Sequence, residues 1–400
     1  MNEQFYIINP LAAFFSLLCC IGTAAVFLFL QRPTVDKTAR LGCLDGLRGF
    51  LALGVFFHHY VISYGFYHTK KWTVPSTAFY TLSGQTGVAL FFMITGFLFW
   101  HKLWTAKGRV NWYNLYLSRI FRIVPLYWFA VLLIVSIVFI SGGFSLKTPI
   151  MLLLKRIVGW LLFFFSSDIN GFPDTWRIIA GVQWTLKYEW IFYLSLPLLA
   201  AAIRLSKRVP SVLWLLAGLV VLGKIVPVSV IPAVGIKSDL FVYFFIGAFA
   251  ASLYGNARAK FIAQKRIVSY IAVLAVVILF NFFNDGYGKM QILLLALFFM
   301  PVALGNSMFG LFKLPATVLL GDLSYSIYLL HGILLYFLFT MVFPTFFSPG
   351  TGVFWIYAGM SLTGVVLVSL SWLTFYMIEK PFMDFGKRYR RFKSDHEPGC

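Results

Sequence analysis

Between residues 7 and 377 the sequence is a succession of apolar runs, each close to the length that crosses a lipid bilayer. A crossing helix needs about 20 apolar residues, because it must cover about 30 Å of hydrocarbon at about 1.5 Å per residue. Eleven runs meet that need, several of them only with their flanks: 7–30, 47–66, 87–103, 123–140, 190–203, 212–232, 240–253, 268–283, 290–305, 323–343 and 353–377. A twelfth, 151–165, is broken by Lys155 and Arg156. The fold class that follows is all-α, a polytopic membrane helix bundle of about 11 transmembrane helices. Only 12% of the residues are charged and 60% are apolar, where a soluble domain carries about a quarter charged, so a soluble fold is excluded.

The charges that remain are one-sided, with 33 Lys and Arg against 13 Asp and Glu, a formal net charge of +20. A nucleic-acid partner is not expected, since such proteins gather their basic residues on a wettable face and here they punctuate apolar runs. Loops rich in Lys and Arg stay cytoplasmic, so the excess reads as an orientation signal. If 151–165 lies in the interface without crossing, a bundle with its amino terminus out and carboxyl terminus in places 23 of the 33 basic residues in inner segments. If that stretch crossed, the basic segments after it would flip outward. Residues 1–25 are a poor signal peptide, with Glu3 and no Lys or Arg ahead of an apolar run too long for one, and read as part of a true span. The four cysteines lack metal-ligand spacing and read as free thiols, and no metal is expected. The segment 141–183, with its Gly142-Gly143 pair and its Ser166–Asp174 run, reads as an exposed turn region.

Ionisable side chains at membrane depth are costly, so each is a functional hypothesis. The second run opens Asp45-Gly46-Leu47-Arg48-Gly49 and reaches His58-His59. Eleven helical residues from Arg48 to His59 give a net rotation of about 20° and a rise of about 16 Å, which puts both on one face with His59 near mid-membrane. His58 points elsewhere, and Asp45 is placed to pair with Arg48 or cap the helix. A His at that depth either hydrogen-bonds a neighbouring helix or takes a proton from a hydroxyl and returns it. Trp184-Thr185-Leu186-Lys187-Tyr188-Glu189 precedes the run 190–203, and Glu189 sits where an interfacial acid at a helix amino terminus would also sit. Arg119 and Arg122, three residues apart on one helical face, suit phosphate oxygens as well as positive-inside anchoring. Two further clusters are Ser324-Tyr325 with Tyr328 and His331, and Ile378-Glu379-Lys380-Pro381 at the last span's exit.

Taken in order, these motifs resemble the acyltransferase 3 family of integral membrane O-acyltransferases. The resemblance runs from Leu44 to Phe382: Asp45–Gly49 with His59, Arg119 and Arg122, Trp184 with Leu186 and Glu189, Ser324 through His331, and Ile378, Glu379 and Pro381. Thr185, Ala89 and Thr95 depart from the family's usual residues. The resemblance implies an extra N-terminal helix and linker (1–40), a ten-helix membrane domain (41–384) and a basic cytoplasmic tail (385–400). It also implies transfer of an acyl group, most simply acetyl, from cytoplasmic acetyl-CoA or another acyl-CoA to a hydroxyl of a carbohydrate or lipid-linked glycan in the cell envelope. The expected membrane is the bacterial inner membrane, and acyl-CoA enters as substrate, with no permanently bound cofactor. In the expected division of labour His59 is general base or transient acyl carrier, Glu189 orients its imidazole, and Arg48 holds donor phosphate or the oxyanion. Arg119 and Arg122 bind donor; Asp45, His58, Trp184, Ser324, Tyr328, His331 and Glu379 support. The rival class is a carrier for a lipid-linked glycan, with the embedded His and Glu as a proton relay.

Overall fold

The structure is a computed structural model that describes residues 8–31, 42–163, 167–205, 238–346 and 353–396. Among them every regular element is helical. The long helices are α1 (Leu11–Gln31), α2 (Gly42–Thr69), α3 (Ala78–Thr105), α4 (Trp112–Ser141) and α6 (Trp184–Leu205), with the shorter α5 (Ile150–Leu161) between the last two. They are followed by α7 (Phe241–Leu253), α8 (Ala257–Ala263), α9 (Arg266–Phe282), α10 (Lys289–Ala303), α11 (Pro315–Asp322) and α12 (Ser324–Phe337). The last two are α13 (Val353–Thr374) and α14 (Lys380–His396).

Seven helices among the described residues are long and apolar enough to cross a membrane, or eight if α8 and α9, bent by 65° at their junction, form one broken span. Each sequence-predicted run within the described residues is helical, but α7 and α10 have 13 and 15 residues. At about 1.5 Å per residue these rise about 20 and 22 Å, short of the hydrocarbon thickness. The run 212–232 lies outside the described residues. Helix α5, with 12 residues, rises about 18 Å and is too short to cross, as its Lys155 and Arg156 imply.

Glycines set the tightest helix contacts. A Cβ at Gly96 or Gly247 would overlap the backbone carbonyl of Phe244 or Met93, so α3 and α7 approach at backbone distance. The glycines of the α2 opening act in the same way: Gly46 lies against the Phe312 backbone and Gly49 against Leu320 of α11, whose Gly321 meets the Asp45 carbonyl. On the other side of the bundle α1 packs along α13, where the Phe27 and Trp372 rings stack at 4.7 Å and Ser16 donates to the Met360 carbonyl.

The segment 141–183 is an exposed turn region only in part: residues 142–149 form a largely exposed turn, whereas its later part enters the bundle. Ile169, Asn170, Thr175, Ile178 and Ile179 are buried. Its polar residues serve its own backbone: Asn170 Oδ1 accepts from Lys147 N at 2.8 Å, its Nδ2 donates to the Ser145 carbonyl, and Thr175 Oγ1 accepts from Ile169 N at 3.0 Å. Polar composition reads as loop, but here each polar group replaces water for a buried amide. A 3₁₀ turn, Thr175–Ile179, then presses into the bundle against Gly332 of α12, where a Cβ would overlap the Ile179 backbone. Residues 380–396 continue α13 as helix and lie along α4, with Phe385 against Phe121 at 5.5 Å and Arg390 Nη1 donating to the Asn114 carbonyl at 3.3 Å.

Candidate functional site

Helices α2 and α12 run side by side and in parallel, each contributing to one cavity near its start and to another near its end. The first cavity is lined by Arg48 of α2, Arg119 and Arg122 of α4, Glu189 and Tyr193 of α6, and Ser324, Tyr325 and Tyr328 of α12. Six of the predicted site residues therefore converge on one space: Arg48, Arg119, Arg122, Glu189, Ser324 and Tyr328. The Ser324 hydroxyl is buried there with no hydrogen-bond partner among the described residues. Thr95 also faces this cavity, whereas Ala89 is part of the packed core.

Glu189 differs from its expected place. Helix α6 begins at Trp184, six residues ahead of the apolar run, because Trp184 through Tyr188 continue the helix and carry Glu189 into its second turn. There Glu189 Oε2 accepts from the Tyr193 hydroxyl at 2.6 Å, one turn further on, and lies within electrostatic reach of Arg119, Arg48 and Arg122. The acid thus belongs with the arginines, and not with His59. Tyr193 was not singled out in the sequence; its spacing of four residues from Glu189 is the signal that would have found it. Arg119 is further fixed over the Phe99 ring at 5.0 Å, and Asp45 stands 3.9 Å from Arg48. Tyr325 donates to the Ile123 carbonyl at 2.8 Å, and the Tyr328 and Thr185 hydroxyls are 2.9 Å apart. Trp184 packs edge-on to Tyr188 at 5.5 Å, behind the cavity-lining Phe92, whose ring it meets at 6.4 Å. Ser326 donates to the buried carboxylate of Glu379, which ties the α12 motif to the α13 exit and lies within reach of Arg122 and Arg48.

His59 pairs with His331. His331 Nε2 and His59 Nδ1 are 3.0 Å apart, His331 Nδ1 is 3.1 Å from the Ile327 carbonyl, and His59 Nδ1 is 3.1 Å from the Val55 carbonyl. A carbonyl accepts only from N–H, so the network assigns the His331 proton to Nδ1 and leaves its Nε2 as an acceptor. His59 must then donate from Nδ1, shared between His331 and Val55. Its Nε2 keeps a lone pair and has no hydrogen-bond partner among the described residues. That is the state of a general base. His331 is fully buried, and His59 is half-buried. His58 is anchored differently, its Nδ1 2.9 Å from the Tyr80 carbonyl and its ring against Gly84.

The second cavity lies past the histidines. It is lined by Ser63, Phe66, Tyr67 and Lys70 at the end of α2, by Trp72, by Phe172, Asp174 and Arg177 of the 141–183 segment, and by Tyr336 and Phe339 beyond His331. At about 310 Å³ it is roomier than the first, at about 150 Å³. The histidine pair stands between them: the Tyr328 ring, on the wall of the first cavity, is 6.0 Å from the His331 ring, and the Trp72 ring, on the wall of the second, is 6.4 Å from His59. Sequence reasoning singled out none of the residues of the second cavity. Among the described residues no group of His, Cys, Asp and Glu is arranged to hold a metal.

Residues 41–372 match the family described as acyltransferase domain. The exopolysaccharide production protein ExoZ of Rhizobium meliloti is 25% identical over 317 residues, which cover 77% of this chain and 92% of ExoZ. Nodulation protein 10 of Rhizobium leguminosarum bv. viciae is 26% identical over 368 residues, 85% of this chain and 92% of that protein. The Staphylococcus aureus protein named "Putative O-acetyltransferase SAR0937" is 23% identical over 389 residues, 89% of this chain but 59% of that longer protein. No solved structure matches the chain. With its multi-pass helical fold and a match over most of its length, the chain belongs to the acyltransferase 3 family of membrane acyltransferases.

Proposed function

We propose that the protein is an O-acyltransferase that takes an acyl group, most simply acetyl, from acyl-CoA on the cytoplasmic side and places it on a hydroxyl of a carbohydrate or lipid-linked glycan at the opposite face. The observation that carries this reading is the His59–His331 pair standing between two cavities of different chemistry. The arginine-lined cavity suits the donor, since guanidinium forks match phosphate oxygens, and the unpartnered Ser324 hydroxyl is free for a ligand. In this reading the bundle has about eleven spans, with the amino terminus outside and the carboxyl terminus inside a bacterial inner membrane. The basic segments 31–49, 101–122 and 378–400 then face the cytoplasm.

His59 Nε2 takes the proton from the acceptor hydroxyl as that oxygen attacks the thioester carbonyl; the C–S bond breaks, and the coenzyme thiolate leaves with the proton returned by the imidazolium. His331 fixes the tautomer and stabilises the imidazolium that forms. Arg48 stands about 16 Å of helix from His59, so its share is the donor's phosphates and not the oxyanion at the reacting carbonyl. Glu189 holds Arg119 and the other arginines in place and limits their mutual repulsion.

The direct test is acetyl transfer by membranes containing His59→Ala or His58→Ala protein, with radiolabelled acetyl-CoA and the host's own glycan. Loss in the first and retention in the second supports the assignment; full transfer by His59→Ala overturns it.

A further inference from the structure

We propose that the second cavity is the acceptor's binding site and that it takes a glycan bearing a carboxylate or phosphate, held by Arg177 and Lys70 above an aromatic floor. The proposal rests on the acyltransferase reading and adds to it the charge class of the acceptor.

The floor is built from Phe66, Trp72, Phe172 and Tyr336, flat faces against which the C–H face of a sugar ring packs. The Trp72 ring continues this surface in both directions, to Trp176 at 5.6 Å and to His59 at 6.4 Å. Ser63, one helical turn past His59 on the same face of α2, also lines the cavity, so a sugar seated there has a path to the base.

The charges decide the class. Arg177 lies over the Phe66 ring at 4.4 Å and pairs with Asp174, Nη2 to Oδ2, at 3.2 Å. The other oxygen of Asp174 accepts from Trp176 Nε1 at 3.3 Å, so this carboxylate is engaged on both sides. Arg177 is not used up in the same way: its Nε is buried without a hydrogen-bond partner among the described residues, and its side chain stays partly exposed beside Asp174. Lys70 stands at the mouth, its ammonium 5.4 Å from the Tyr67 ring centre. Two cations against one engaged acid leave a surplus positive charge over an aromatic surface. That arrangement favours an anionic sugar over a neutral one, because guanidinium and ammonium groups in a partly desolvated pocket bind carboxylate or phosphate strongly.

The anion has two sources, an acidic sugar residue or the phosphate of a lipid carrier. Purified full-length protein in detergent tests both through tryptophan fluorescence, since Trp72 forms part of the wall. The probes are tetragalacturonate, its carboxyl-reduced counterpart and a short-chain polyprenyl phosphate. The expected result is saturable quenching by at least one of the two anions. Affinity for it falls about tenfold, or about 1.4 kcal/mol, in Arg177→Gln, falls less in Lys70→Gln, and is partly kept in Arg177→Lys. Saturation by tetragalacturonate with weakened binding of its reduced form assigns the anion to the glycan; saturation by polyprenyl phosphate alone assigns it to the carrier. Equal binding of the charged and reduced oligosaccharides, no binding of either anion, or wild-type affinity in Arg177→Gln overturns the proposal. Should Arg177→Gln fail to fold, the comparison of charged and reduced probes on the wild-type protein still decides. The readout is binding, so it does not depend on acyl transfer taking place.

Discussion

The two cavities share two helices and almost nothing else. At the Arg48 end, charges from α2, α4 and α6 converge around Glu189 and hydroxyls of α12; at the Lys70 end, aromatic rings make the surface and a single ion pair marks it. In the proposed reading the same pair of helices serves the donor's phosphates at one end and the acceptor sugar at the other, with two imidazoles in contact between them. A transferase of the proposed kind, which joins a polar donor to a polar acceptor without opening a continuous aqueous path, needs such a division.

The sharpest way to break the comparison is at its boundary. His59→Ala removes the lone pair at the boundary and is expected to lower acyl transfer by about 10²–10⁴-fold, the usual contribution of a positioned general base. His58→Ala, whose ring is tied to the Tyr80 carbonyl, should leave most of the rate. Measuring transfer in membranes at saturating donor separates the two, and equal losses would mean that the α2–α3 contact, and not the base, was disturbed.

Removal of the partner imidazole comes next. His331→Ala leaves His59 free to rotate and is expected to lower kcat by about 10²-fold, the scale of a misplaced reacting group. In His331→Gln the amide oxygen can again accept from His59 Nδ1, so part of the rate should return with KM for donor unchanged. No rescue by Gln would show that the ring does more than hold the tautomer.

How much of this was legible in the sequence divides along the same lines. Arg48 and His59 share a face because they are eleven residues apart on one helix, and helical arithmetic is local. His331 lies 272 residues from His59, and only the packing of α12 against α2 joins them; its depth was readable, its partner was not. Glu189 was misplaced because the apolar run marks where hydrocarbon begins and not where the helix begins. The later part of the 141–183 segment was misread because Asn170 and Thr175 look like turn residues until their buried amide partners are seen, whereas the Gly142-Gly143 turn is exposed as expected. The second cavity joins part of that segment to the ends of α2 and α12, which only packing brings together, and so was invisible too.

At the arginine end the expected effect is smaller and falls on a different constant. Arg119→Gln and Arg122→Gln are each expected to raise KM for acyl-CoA about tenfold, the loss of roughly 1.4 kcal/mol of charge-assisted contact, with kcat little changed. A matching change in the acceptor's KM would blur the division between the cavities, and a change confined to the donor would sharpen it.

The smallest effect belongs to the wall. Thr185 Oγ1 donates to the Val182 carbonyl at 3.1 Å and is left to accept from the Tyr328 hydroxyl at 2.9 Å, while Tyr328 also lies 3.3 Å from that carbonyl. Thr185→Ser keeps every one of these contacts and should behave as wild type. Thr185→Val removes one acceptor but leaves Tyr328 the Val182 carbonyl, so the cost is about 1 kcal/mol of stability, a net hydrogen bond, with transfer reduced no more than a few-fold. Thermal unfolding and donor KM measured together make the decision. A loss of transfer as deep as that of His331→Ala, with unfolding unchanged, would mean that Tyr328 carries geometry from the arginine cavity to His331, 6.0 Å away, and that the two ends are coupled through α12 and not merely joined by it.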